Sequence, residues 1–286
     1  MTSPINNHQK TILITGCSTG IGYCVAKGLK QRGYRVIATA RRGESVEQLT
    51  REGFESLQLD VASSDSIQQA FHEIMQLTDG HLYALFNNGA FGLPGAVEDL
   101  SRENLTYQFE TNVFGWLELT NLVIPVIREQ GYGRIIQNSS VLGFVAMPFR
   151  GAYNASKFAI EGLSDTLRLE LKDTNVFVSL IEPGPIESRF RANAVKELEQ
   201  HIDMKNSVHY EKYQAVLKRL NKPGPAAPFT LPPEAVLKRV ILALEANRPK
   251  PRYYVTFPTY LFAFLKRILS HRQLDHILAK AGSDKK

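Results

Sequence analysis

The chain has 286 residues, 43% of them apolar, with a formal charge of +6 and a pI near 9.2. A chain of this length can bury one large α/β core, or two small ones, without metals or disulfides. Two cysteines, Cys17 and Cys24, exclude a disulfide framework and a metal knuckle, the seven histidines form no HExxH cluster, and basic residues spread along the chain argue against a nucleic-acid surface.

Residues 1–10 are polar and hold no apolar signal core, so a soluble cytoplasmic protein is expected. Residues 11–15, Thr-Ile-Leu-Ile-Thr, read as a short buried strand. A glycine-rich turn follows, then a helical pattern to about Arg32 that Gly33 stops. Further apolar runs at 34–39, 54–60, 82–87, 134–139 and 176–182 read as five more strands, and Ser63 or Ser64 is a candidate cap for the next helix. Long helical patterns occupy about 103–128 and 152–172. Strands alternating with helices predict right-handed crossovers: a single α/β domain with a Rossmann-like, doubly wound parallel sheet and helices on both faces. Pro223, Pro225, Pro228, Pro232 and Pro233 predict an irregular connection over 221–233, before a last helix at about 234–245. The run 253–269 is aromatic and aliphatic but is broken by Pro258, Lys266 and Arg267, a poor membrane span. Three Asn-x-Ser/Thr matches, at Asn104, Asn138 and Asn154, read as chance.

The turn after the first strand is Thr15-Gly16-Cys17-Ser18-Thr19-Gly20-Ile21-Gly22. Glycine permits close backbone approach, and a following helix N-terminus offers free N–H groups to a pyrophosphate. Gly16, Ser18, Thr19, Gly20 and Ile21 are the expected contacts, against the plainer reading of a tight turn. The second strand ends in Ala40-Arg41-Arg42, where an acid would bond a ribose hydroxyl and arginine accommodates a 2′-phosphate. Arg41, with Arg42 in support, therefore points to NADP(H). A solvated basic turn is the alternative. Cys17 and Cys24 read as small packing residues.

Tyr153 and Lys157 lie four apart near the start of a helical pattern, hence on one face. A tyrosine titrates near ~10, and an adjacent ammonium is expected to lower that value, making the phenol a proton donor and acceptor. Ser140 stands at the end of the fifth strand, where ligand crevices of parallel sheets open. Together with Asp60, Asn87-Asn88-Gly89-Ala90, Asn112 and Pro183-Gly184, these motifs make the chain resemble the short-chain dehydrogenase/reductase family over about 11–190. The resemblance implies that Ser140 holds the substrate oxygen, Tyr153 is the acid/base, Lys157 contacts the nicotinamide ribose and lowers the tyrosine pKa, and Asn112 helps hold a relay water. It further implies that Asp60 and Val61 border the adenine and that Asn87 lies along the cofactor. Ile186 and Ser188 would lie by the carboxamide, with Gly89, Pro183 and Gly184 also along the cofactor. The family's Asn-Asn-Ala-Gly is here Asn-Asn-Gly-Ala, which would strain the turn if Ala90 took a positive φ.

Leu142, Phe144 and Met147, with Phe149, Phe91, Leu93 and Phe190, are candidate pocket walls. Each singly reads as ordinary core, while together they suggest a hydrophobic carbonyl or alcohol substrate. The segment 181–186 resembles the subgroup of retinol dehydrogenases, 17β-hydroxysteroid dehydrogenases and bacterial NADP-dependent aldehyde reductases. Residues 189–228 are expected to form a substrate lid, and 253–286 a C-terminal apolar extension that packs as core or subunit interface, or else touches a membrane surface peripherally. No metal and no nucleic acid are expected, and the family resemblance implies a homodimer or homotetramer. The competing reading is an NADP(H)-binding regulatory protein without turnover.

Overall fold

Strand β1 (Thr11–Ile14) is apolar because both faces of its sheet are covered. Ile12 and Ile14 point into one core cluster and Leu13 into another, the two-residue alternation of a pleated strand. The computed structural model describes residues 10–225 and 227–282; the polar segment 1–9, Ala226 within the expected lid and the last four residues lie outside these. Seven strands form one parallel sheet: β1, β2 (Arg35–Ala40), β3 (Glu55–Gln58), β4 (Ala84–Asn87), β5 (Gly133–Asn138), β6 (Val176–Glu182) and β7 (Arg252–Tyr254). Their spatial order is β3-β2-β1-β4-β5-β6-β7, and every neighbouring pair is parallel. The order reverses between β1 and β4, which places the crevice at their C-terminal ends.

Helices α1 (Gly20–Gln31), α2 (Gly43–Arg51) and α9 (Glu234–Glu245) cover one face through Val25, Leu29, Leu49, Val236 and Val240. Helices α3 (Ser64–Leu77), α5 (Gly115–Glu129) and α6 (Gly151–Glu170) cover the other through Ile67, Ile74, Leu119, Val123 and Ile160. Ser63 caps α3 by accepting from the Ser66 N–H. The six expected strands all form. The seventh, β7, spans the start of the aromatic run and the arginine before it, and three such residues carry no alternation to mark a strand.

Two further departures concern helices. The pattern over 103–128 is not one α-helix: α4 (Arg102–Phe109) passes through a π-helical turn, Glu110–Phe114, into α5. The helix at 234–245 is not the last, since α10 (Phe257–Ile268) and α11 (His271–Gly282) follow it. Phe262, Leu274 and Leu278 of these helices are buried against Val141, Leu142 and Val145, so part of the C-terminal extension is core. The segment expected to form a lid holds α7 (Phe190–His201) and α8 (Tyr210–Leu220). The proline-rich connection over 221–233 pairs with the chain after β6 through an isolated bridge between Leu231 and Ile186.

Candidate active site

The loop between β1 and α1 is shaped to receive an anion. Gly16 (φ +71°) and Gly20 (φ +61°) adopt left-handed backbone that favours glycine. A Cβ on Gly16 would stand 2.6 Å from the Gly89 Cα, so the two glycines let the β1 and β4 ends meet at the crevice. Thr19, at the N-cap of α1, forms no side-chain cap, and the first turn carries no acid. The N–H groups of that turn thus keep their donors and the positive end of the helix dipole for a ligand. Ser18 and Thr19 are exposed, while Ile21 is half-buried against the core.

Asn88, a residue given no role by its motif position alone, holds this loop. Its amide donates to the Thr15 and Gly16 carbonyls at 3.0 and 3.2 Å, and its Oδ1 accepts from Asn138 at 2.9 Å. The Thr15 hydroxyl accepts from both the Asn88 and Gly89 N–H groups at 2.9 Å. Neither Gly89 nor Ala90 takes a positive φ among the described residues, and a Cβ on Gly89 would meet only ordinary contacts from 3.4 Å. The exchanged Gly-Ala pair is therefore accommodated without strain.

Arg41 and Arg42 are exposed at the end of β2, and Arg42 is the N-cap residue of α2. Arg41 and Glu197 of α7 both lie near the Tyr107 phenol, whose ring is tilted against Phe91 and stacked on His201, centres 4.7 and 4.8 Å away. Asp60 accepts from the Ala62 N–H at 3.0 Å through one oxygen, and the adjacent Val61 is buried, its carbonyl so close to Gly115 that a Cβ there would lie 1.6 Å away. Asn87 ends β4 beside the loop. It is fully buried, with its amide donating to Thr120 Oγ1 at 3.0 Å and toward the Trp116 carbonyl at 3.4 Å. Its amide nitrogen thus ties β4 to α5, while its Oδ1 is buried without a partner among the described residues.

Ser140, Tyr153 and Lys157 converge beside this loop. Ser140 lies close enough to the Tyr153 phenol to act on its titration, and Ser140 Oγ accepts from the Leu142 N–H at 3.1 Å. Lys157 is buried, donates to the Asn138 carbonyl at 2.8 Å, and lies 4.2 Å from the Trp116 ring centroid. Trp116 in turn donates to the Gly89 carbonyl at 2.8 Å. Burial governs both titrating groups of this arrangement. Burial pushes the phenol up to about 12, with Ser140 opposing. Burial likewise pulls the Lys157 ammonium down to about 7, with Glu161 opposing. Lys157 lies 5.7 Å from the centre of the Tyr153 ring and donates to a main-chain carbonyl, so desolvation prevails over charge attraction.

Asn112 sits in the π-helical turn, fully buried. Its amide donates to the Phe91 carbonyl (2.9 Å) and Ser156 Oγ (3.1 Å), and its Oδ1 accepts from the Phe91 N–H at 3.2 Å. The side chain is thus committed to protein partners. Asn154, which matched a glycosylation pattern, is buried and clamps the loop after Ser140 by donating to the Leu142 and Val145 carbonyls at 3.1 and 2.8 Å.

Of the pocket candidates, Leu142, Phe144, Met147 and Tyr153 share one cluster backed by α10 and α11. Phe190 at the start of α7 lies edge-on to Tyr153, ring centres 5.4 Å apart, and within 2.7 Å of a Cβ built on Gly92. Leu93 is fully buried in another cluster, beneath α7 and α8, and is core. Phe149 (φ +60°) turns to the same cluster and packs edge-on against Tyr213 and His209. Pro183 accepts from the Val141 N–H at 2.8 Å, and Gly184 leaves no room for a side chain, since a Cβ would fall 2.1 Å from Thr256 Oγ1. Ser188 packs 3.4 Å from a Cβ built on Gly20, which brings the base of α7 onto the phosphate-loop side. Among the described residues no group of histidine, cysteine, aspartate or glutamate is arranged to hold a metal ion. Cys17 is buried and its thiol is pushed up to about 12 by that burial, in keeping with a packing role.

A glycine-lined helix N-terminus at the reversal of a parallel sheet, facing a serine, tyrosine and lysine, defines a nucleotide-dependent oxidoreductase architecture. The chain matches the family model "short chain dehydrogenase" over residues 10–199. It is 42% identical over 270 residues to the uncharacterized oxidoreductase YbbO of Escherichia coli (strain K12), covering 94% of each chain. It is 32% identical over 215 residues to the NADPH-dependent 1-acyldihydroxyacetone phosphate reductase of Schizosaccharomyces pombe, covering 74% of this chain and 72% of that protein. The crystal structure of an actinorhodin polyketide ketoreductase with NADPH superposes with a TM-score of 0.72 at 25% identity, covering 87% of this chain and 97% of that one. The protein belongs to the short-chain dehydrogenase/reductase family, and so to a family of oxidoreductases that bind a nicotinamide cofactor.

Proposed function

We propose that this protein is an NADPH-dependent reductase of a hydrophobic aldehyde or ketone, with retinoid-like and steroid-like carbonyls within its class. The observation that carries this reading is the Tyr153 phenol, kept neutral by burial, beside Ser140 and edge-on to the Phe190 ring. A neutral phenol is a proton donor, which is what a carbonyl oxygen needs as negative charge develops on it. Ser140 would hold that oxygen and Tyr153 would protonate it. The Lys157 ammonium, beside the Asn138 carbonyl, would steady the charge left on the phenol and hold the nicotinamide ribose. The main-chain carbonyl of Asn112, in its π-turn, is the group left to bind a relay water, since the side chain is already partnered.

Residues for the cofactor fit the same reading. The uncapped start of α1, from Gly16 to Ile21, suits a pyrophosphate, and Arg41 a 2′-phosphate. Asp60 and Val61 would border the adenine, and Ile186 and Ser188 the carboxamide. Bound NADPH would supply the hydride, and the protein supplies placement and charge. The NADPH of the fission-yeast reductase and of the ketoreductase structure supports this choice of cofactor. Helices α7 and α8, rooted at Ser188 and Phe190, would serve as the lid. Following NADPH absorbance over a panel of aliphatic aldehydes, retinal and ketosteroids tests the proposal. Turnover of a hydrophobic carbonyl is expected; tight NADPH binding with none of the panel reduced would favour a regulatory protein.

A further inference from the structure

Helix α10 has two unlike faces. Thr259 and Phe262 are buried, and Phe262 packs with the loop bearing Val141, Leu142 and Val145. The opposite side carries Phe257, Tyr260, Leu261, Phe264 and Ile268, all exposed, with Phe257 at 55%, Phe264 at 59% and Ile268 at 58%. The spacing of these five residues collects them within about 100° of arc, an apolar stripe with no charge inside it. Phe229 extends the patch: it is exposed, packs tilted against Phe257 with ring centres 4.9 Å apart, and is held in left-handed backbone (φ +63°). Contiguous exposed apolar surface of this kind marks a place of contact.

The charges around it select the partner. No aspartate or glutamate occurs between Glu245 and Asp275; Arg252 of that stretch is paired with Glu161, Asp165 and Glu182 and Lys266 donates to the Phe144 carbonyl, while Arg248, Lys250, Arg267 and Arg272 are exposed. Arg267 is exposed beside Ile268, and Arg239 donates to the Tyr260 hydroxyl at 3.1 Å at the stripe's edge. A second copy placed face to face would set these cations against their own images. An anionic bilayer would accept them, with aromatic and aliphatic side chains at the acyl boundary and arginines among the headgroups. Among the described residues no helix is long and apolar enough to cross a membrane, so the contact is with the surface.

We propose that the outer face of α10, together with Phe229, seats the protein on an anionic lipid surface. The helix lies flat, and Leu142, Phe144, Met147 and Tyr153 pack against its far side, about one helix diameter of ~10 Å from the lipid. The seat stands independently of the substrate reading.

Flotation of the full chain with phosphatidylcholine vesicles, with and without phosphatidylglycerol, tests this. The protein is expected to float with the anionic vesicles and to be released by raised salt. Phe264→Glu should lower the partition coefficient at least ~tenfold, and Arg267→Gln about fivefold on anionic vesicles alone. Val208→Glu, at an exposed position of the segment before α8, should float as the wild type does. Near-native Trp116 fluorescence and thermal unfolding show that each variant is folded, and Arg267→Gln carries the test if Phe264→Glu is not. Absence of flotation, flotation indifferent to both substitutions, or a concentration-dependent dimer abolished by Phe264→Glu without vesicle binding would each overturn the proposal.

Discussion

Glu182 ends β6 fully buried, with its Oε1 3.1 Å from Arg252 Nε. The same guanidinium reaches Asp165 at 2.6 Å and Glu161 at 3.2 Å, and Lys157 lies one helical turn before Glu161. Three carboxylates thus face two cations in a region of low polarity, so the cluster should retain a proton at neutral pH. Burial, then the neighbouring Glu161 charge, pushes Glu182 well above the usual carboxylate range. The consequence for stability follows from proton counts. In the unfolded chain Glu182 ionises near ~4.3, whereas in the folded chain it stays protonated. Its contribution to stability is therefore full below the unfolded value and is lost as pH rises toward the folded one, at ~1.4 kcal/mol per pH unit. Glu182→Gln imitates the protonated acid and removes this titration. Urea unfolding followed by Trp116, the single tryptophan, at pH 6 and pH 8 should show the variant gaining roughly 1–3 kcal/mol on the wild type across that interval. Parallel stability changes in the two proteins would refute the shared proton. Glu161→Gln should show the same pH behaviour but also impair turnover, because Glu161 opposes the desolvation of Lys157.

Three further outcomes follow from the site. Tyr153→Phe should keep NADPH affinity, measured by fluorescence titration, and lose at least ~100-fold in turnover; in the wild type, alcohol oxidation should rise with pH from 7 upward, since it needs the phenolate of a group raised to about 12. Arg41→Ala should raise the Michaelis constant for NADPH ~10- to 100-fold while leaving that for NADH nearly unchanged; equal effects on both would remove Arg41 as the 2′-phosphate ligand. Gly16→Ala, at φ +71° and 2.6 Å from the Gly89 Cα, should cost on the order of 1–3 kcal/mol in thermal unfolding and weaken NADPH binding more than tenfold.

Much of the architecture was legible in short windows of sequence. Thr11–Ile14 reads as a doubly covered strand because every residue is apolar or β-branched, and Glu234–Glu245 reads as a helix from its period and its preceding prolines. The glycine loop was legible too, because left-handed backbone at Gly16 and Gly20 leaves a residue-type signature. Strand β7 was not, since it is a strand only by pairing with β6. The π-turn at Asn112 was likewise hidden, because its period differs from an α-helix over just five residues.

The sequence by itself determined the order of elements, the phosphate loop and the presence of Ser140, Tyr153 and Lys157 in a family arrangement. These depend on local backbone preference and on spacing along one helix or strand. The tertiary structure alone decided which way side chains face and how strongly each is desolvated. It turned Asn87 toward α5, spent the Asn112 amide on Phe91 and Ser156, and gathered Glu161, Asp165, Glu182 and Arg252 from three separate elements. It also set the burial that pushes the Tyr153 phenol up to about 12, because burial depends on chain segments distant in sequence.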